Sequence, residues 1–297
     1  MLNDNLKNYL HLHLIVFIWG FTAVIGALIS LDAAPLVWYR MLLAAGFIGI
    51  YIWFKKINWR ISGKTLFGFI MAGTVIALHW VTFFKAIKVS NVSVTLAMLS
   101  TGSFFTAILE PLWYKRKVIW YEIFFGLIVI SGLYIIFEVE TAYVQGIILA
   151  LTSALLSAVF TLVNGKFIQV YKPSVISFYE LTSGVVFLTL YLWVTDSFSS
   201  GFFDVSVSDW VYLGVLASVC TAYALIASVK IMKFISPYTV MLTINMEPVY
   251  GIILAYLVFG ENERMSPQFY IGAAVILMTV IANGILKNKR KRKSTLF

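Results

Sequence analysis

The chain has 297 residues, 61% hydrophobic and 12% charged, with a mean hydropathy of +0.92. Soluble domains carry about 25% charged residues, so the composition excludes them and assigns an all-α integral membrane protein. The formal charge of +9 does not indicate nucleic acid, because Lys and Arg cluster at the ends of apolar segments, where they orient membrane proteins. The single cysteine, Cys220, lies inside an apolar segment, so no intrachain disulfide forms.

Ten apolar spans are expected, at roughly residues 12–30, 36–54, 66–84, 92–113, 118–137, 143–163, 174–194, 210–229, 236–259 and 267–286, each long enough to cross ~30 Å of hydrocarbon. The first apolar segment continues into this pattern with no clear small-residue cleavage site, so it reads as a span and not a signal peptide. It carries Trp19 and Gly20, an aromatic wall candidate and a flexion point. The second holds Arg40 about one turn in. That arginine either meets an anionic ligand or a glutamate, or snorkels to the interface. The third holds His79 and Trp80. His79 is a proton-relay candidate or a structural histidine, and Trp80 a stacking surface or plain packing.

At the centre of the fourth span stand four small residues, Ser100-Thr101-Gly102-Ser103, which leave room for a close backbone or a ligand. Thr101 and Gly102 are the candidates there. The seventh span places Glu180 on one face with Ser183, Gly184 and Phe187, a face that reads as cavity-lining. The longest loop, near 195–209, carries three aspartates and no basic residue.

The ninth span contains Asn245, Glu247 and Pro248 near its middle. A midplane glutamate costs roughly 2.5–3.5 kcal/mol to insert, so it should face a cavity or a partner. Pro248 cannot donate to the carbonyl of Ile244. Glu247 is a candidate for binding an ammonium group or carrying a proton, against the alternative of a structural carboxyl. Asn245 faces another side of the helix, where helix–helix bonding competes with ligand contact.

With a cytoplasmic N-terminus, 18 Lys and Arg fall on cytoplasmic segments, from Lys7 and the Lys55–Lys64 group through Lys115–Lys117, Lys166, Lys172, Lys230 and Lys233 to the tail Lys287–Lys293. Only Lys85, Lys88 and Arg264 fall outside, so both termini are expected inside, with the tail as a topology anchor.

Sliding the chain by about 139–146 residues superposes Phe21-Thr22 on Phe160-Thr161, Tyr39-Arg40 on Tyr179-Glu180, and Lys85/Lys88 on Lys230/Lys233. Five spans per half is an odd number, so the second half inserts upside down. The expected fold is therefore ten transmembrane helices in two inverted five-helix repeats, residues 1–140 and 141–297, with the substrate site at their interface.

These residues resemble the EamA family of the drug/metabolite transporter superfamily. Ile18-Trp19-Gly20-Phe21 is similar to its opening Trp-Gly motif. Pro35 to Arg40 resembles its Pro…Arg pattern, and Glu247-Pro248 to Gly260-Glu261 its Pro…Gly-Glu ending. In the first half Gly102 stands where the family often has proline, and Tyr114-Lys115 where it has Gly-Glu. The resemblance implies alternating-access transport, often outward in that family, of amino acids or related metabolites, with the fifth and tenth spans as outer supports.

No His-Glu-x-x-His, Cys-x-x-Cys, phosphate loop or Gly-x-Ser-x-Gly elbow is present, so neither catalytic residues, metal nor cofactor are expected. The expected protein is a secondary transporter of the cell inner (plasma) membrane with a small-molecule substrate and protons as coupling ion. Substrate contacts are assigned to Glu247, Arg40, Glu180, Trp19, Trp80, Thr101 and Asn245, proton coupling to Glu247 and His79, and flexion to Gly20, Gly102 and Pro248. An intramembrane enzyme or scaffold, and a nucleotide-sugar or cofactor carrier, are the competing readings.

Overall fold

The computed structural model describes residues 4–115, 120–139, 141–198 and 200–294. Arg116 and Lys117, of the basic group before the expected fifth span, and Glu140, at the expected repeat boundary, lie outside them, and the side chains of the basic tail Lys287–Lys293 are likewise outside the description. The described residues are helical, joined by short connections, with no strand among them. The helices are α1 (Asp4–Leu28), α2 (Ala33–Phe54), α3 (Gly63–Val89), α4 (Val92–Leu99), α5 (Gly102–Tyr114), α6 (Trp120–Val139), α7 (Val144–Phe167), α8 (Pro173–Val194), α9 (Val207–Ala217), α10 (Ala224–Ile231), α11 (Pro237–Ile244), α12 (Glu247–Phe259) and α13 (Pro267–Ser294).

Their starts are written in the sequence. Ser62, Asn91, Ser206 and Ser236 each accept a hydrogen bond from the backbone N–H three residues on, which satisfies a donor the first turn would otherwise leave open. Pro173, Pro237 and Pro267 occupy first helical positions, where a missing N–H costs nothing. Gly260, at φ +59°, ends α12.

Among the described residues, eight stretches are long and apolar enough to cross a membrane: Leu6–Leu28, Ala33–Phe54, Gly63–Val89, Val92–Tyr114, Thr141–Phe167, Pro173–Val194, Val207–Ile231 and Pro237–Glu263. The expected fifth and tenth spans correspond to α6 and α13, whose apolar stretches, Phe124–Ile136 and Pro267–Thr279, are shorter. These two helices pack on each other where Gly132 and Gly272 meet: a Cβ on Gly132 would stand 3.0 Å from the carbonyl oxygen of Gly272. Small residues allow such close approach where no water drives association.

Two stretches that read as continuous spans are broken, and a third is locally underwound. Pro248 leaves the carbonyl of Ile244 without its donor, so α11 stops there, and Asn245 and Met246 close tighter turns onto Leu242 and Thr243. Between α4 and α5 no proline is present. There the hydroxyls of Ser100 and Thr101 donate to the carbonyls of Ala97 and Met98 at 2.6 and 2.7 Å, competing with the helical ladder. Between α9 and α10, residues Ser218–Tyr223 form a π-turn, with Thr221 Oγ1 donating to the carbonyl of Leu216 at 2.7 Å. Helix lengths recur along the chain: α2 and α8 have 22 residues each, α4 and α11 have 8, and α5 and α12 have 13.

The connections on each face of the bundle are tied. On one face, Asp209 accepts from the backbone N–H and the hydroxyl of Ser30, and Lys88 donates to the carbonyl of Ile29. Beside them, Glu263 accepts from the N–H groups of Val92 and Ser93 at 2.9 and 2.8 Å, capping α4. On the other face, Tyr171 bonds Thr65, Tyr179 donates to the carbonyl of Trp59, and Tyr114 to that of Leu162.

Candidate functional site

A cavity of about 80 Å³ lies between these two sets of ties, walled by residues of α1, α2, α3, α7, α10 and the break before α12. Trp19, Arg40, His79, Trp80 and Glu247, five of the residues singled out in the sequence, line it. A space this large holds several waters or part of a small polar molecule.

Arg40 is the centre of the wall. Its side chain is 1% exposed, and its guanidinium carbon stands 4.0 Å from the centroid of the Trp80 ring and 5.5 Å from that of Phe84. A desolvated cation on an aromatic face is held by about 2 kcal/mol. Its Nε donates to Thr221 Oγ1 at 2.6 Å, and its Nη1 has no hydrogen-bond partner. Arg40 therefore does not snorkel; it is buried in the cavity wall with one donor nitrogen, Nη1, unpartnered.

Glu247, also buried, faces the same cavity and acts electrostatically on Arg40. No ion pair joins the two among the described residues. The guanidinium and the carboxyl thus line one cavity without closing a salt bridge on each other. His79 is fixed from behind: its Nδ1 lies 2.9 Å from the carbonyl and 2.8 Å from the hydroxyl of Ser153. Trp19 donates through Nε1 to the carbonyl of Cys220 at 3.1 Å, inside the π-turn.

Three other candidates lie elsewhere. Glu180 does not line this cavity. It is fully buried and accepts from Asn164 Nδ2 at 3.0 Å. The face of α8 expected to line a cavity instead presses on α3: a Cβ on Gly184 would stand 3.0 Å from the carbonyl oxygen of Gly73. Asn245 donates to Ser103 Oγ at 2.9 Å and so joins α11 to α5. Thr101 is buried and spends its hydroxyl on Met98.

Of the flexion candidates, Pro248 and Gly102 stand at the two helix breaks. Gly20 sits where α1 meets α12, with a Cβ there 2.9 Å from Tyr250 Cβ.

The sequence reading missed Thr22, Ser157, Thr161, Thr221 and Ser228, the small polar part of the lining and its support. A signal for part of it was present: Ser153, Ser157 and Thr161 recur every four residues along α7, a polar stripe through the middle of a mostly apolar helix.

A multi-pass helical bundle with a polar, charge-lined interior cavity is the architecture of a membrane transporter. The sequence matches the EamA-like transporter family over residues 6–138 and again over 144–284, so the chain belongs to that family. An uncharacterized transporter of Archaeoglobus fulgidus is 24% identical over 287 residues, covering 92% of this chain and 95% of the relative. A protein of known crystal structure superposes with a TM-score of 0.68 at 15% identity, covering 95% of this chain and 98% of that one, which shows a shared fold.

Proposed function

We propose that the protein is a secondary transporter that exports small zwitterionic metabolites such as amino acids. The observation that carries this reading is the buried Arg40, held over Trp80 with Nη1 unpartnered, in a cavity that Glu247 also lines. A carboxylate fits the free edge of the guanidinium, and an ammonium group fits Glu247. A scaffold would have these charges paired with no space between them. A nucleotide-sugar carrier would need more cationic groups than the one arginine in this wall.

The fold that fits this activity is ten spans in two inverted repeats, residues 1–140 and 141–297. The recurring helix lengths and the doubled family match support it. The repeats would rock about the cavity, opening it to one side at a time. Gly20, Gly102 and Pro248 are the flexion points. Placement in the inner membrane with both termini cytoplasmic follows from the distribution of Lys and Arg. Glu247 and His79 are the proton-coupling candidates within the cavity.

The test is counterflow in proteoliposomes with a panel of labelled amino acids, alongside thermal stabilisation of the purified protein by the same compounds. A ligand of the folded state raises the melting temperature by mass action. Stabilisation and flux both lost in Arg40→Ala and Glu247→Gln support the site. Flux that is unchanged in both variants, at normal membrane levels, rejects it.

A further inference from the structure

Behind the cavity wall is a second cluster that the substrate site does not use. Glu180, Asn164 and Ser177 are all fully buried. Asn164 donates through Nδ2 to Glu180 Oε1 at 3.0 Å and to the carbonyl of Phe160 at 3.3 Å. That leaves three oxygens with no hydrogen-bond partner: Glu180 Oε2, Asn164 Oδ1 and Ser177 Oγ. Ser177 precedes Glu180 by three residues and so shares its face of α8.

The charged groups of the surrounding helices are engaged elsewhere. On α2, Arg40 is bound to Thr221 and Trp80. On α3, His79 is bound to Ser153. On α7, Lys166 lies over the ring of Trp113. On α8, Tyr179 donates to Trp59, and on α10, Lys230 is exposed. No ion pair reaches Glu180 among the described residues. A buried carboxylate with one neutral donor is costly to keep charged. Three unpartnered buried oxygens, on two helices already joined by the Asn164–Glu180 bond, are hard donors of the type that hard cations take.

We propose that Glu180, Asn164 and Ser177 form an ion site, separate from the substrate cavity, that takes up one positive charge as a sodium ion or a proton. The site is adjacent to the cavity: Asn164 lies one helical turn past Phe160 and Thr161, which line it. Occupancy would neutralise the contact between α7 and α8 and so alter the wall against which the substrate rests. This coupling role rests on the transport reading above; the ion site does not.

The experiment separates the two. The purified full-length protein is melted in sodium chloride against N-methylglucamine chloride at constant ionic strength, each at two pH values. The expected result is a saturable rise in melting temperature with sodium, or, if a proton is the occupant, a rise at acid pH that sodium does not change. Glu180→Gln should lose the response and, without added cation, melt at least as high as the wild type, because it removes a buried charge at constant shape. Glu247→Gln should keep the response.

If sodium is the occupant, Ser177→Ala should raise the half-saturating concentration about tenfold, the effect of one lost ligand contact. Should Glu180→Gln not be recovered folded, Asn164→Ala and Ser177→Ala carry the comparison by weakening the response. A wild type indifferent to both sodium and pH overturns the site, as does a response that persists in Glu180→Gln. Flux with a cation-blind melting curve removes the ion site alone, and a cation response without flux removes the transport reading alone.

Discussion

The hydroxyl of Thr221 holds two parts of the structure together, and replacing it should disable Arg40 without touching the cavity's shape. Thr221 Oγ1 accepts from Arg40 Nε at 2.6 Å and donates to the carbonyl of Leu216 at 2.7 Å. Thr221→Val is nearly isosteric and removes both bonds. A hydrogen bond to a charged group contributes about 1.5–3 kcal/mol, and 1.4 kcal/mol is tenfold in affinity. If the loss falls on the orientation of the guanidinium, apparent substrate affinity should drop roughly 10- to 100-fold. The Leu216 carbonyl should add about 1 kcal/mol of lost stability. Counterflow in proteoliposomes, with melting curves on the same preparations, measures both. Thr221→Ser keeps the hydroxyl and should restore most of the affinity. The reasoning is refuted if Thr221→Val transports like the wild type, or if serine and valine are equally impaired.

Three structural predictions accompany it. Glu263→Ala removes two charge-assisted bonds to the first turn of α4. It should cost about 3 kcal/mol and raise hydrogen exchange at Val92 and Ser93 while α13 stays protected. Gly20→Val places a Cβ within 2.9 Å of Tyr250 Cβ and 3.4 Å of the Gly251 nitrogen. This overpacking should cost roughly 1–3 kcal/mol, read as a lower melting temperature at unchanged membrane insertion. Gly132→Ile and Gly272→Ile should each separate α6 from α13, lowering cysteine cross-linking between the two helices. Unchanged cross-linking would mean that their contact does not depend on the glycines.

Much of this protein is determined by its residues one at a time. The excess of apolar side chains over charged ones requires membrane-crossing helices, because backbone groups in hydrocarbon must bond within their own segment. The serine and asparagine caps and the first-position prolines locate the helix starts. Pro248 locates one break, because the missing N–H is a property of that residue wherever it stands. Trp19, Arg40, His79, Trp80 and Glu247 were likewise recognisable as costly or unusual inside a span.

What only the tertiary structure decided is which way each helix faces. In a lipid-exposed bundle the outer and inner faces are both apolar, so hydrophobic periodicity does not indicate the core as it does in a water-soluble helix. Glu180 and Glu247 are equally conspicuous in the sequence. One is turned toward α7 and the other toward a cavity shared with Arg40. Gly102 marked the region after Leu99 as a flexion point, but the form of that break and the π-turn at Ser218–Tyr223 were not legible, for a related reason. A serine or threonine hydroxyl can bond its own helix without disturbing it, and only the packing of neighbouring helices selects the places where it replaces the ladder.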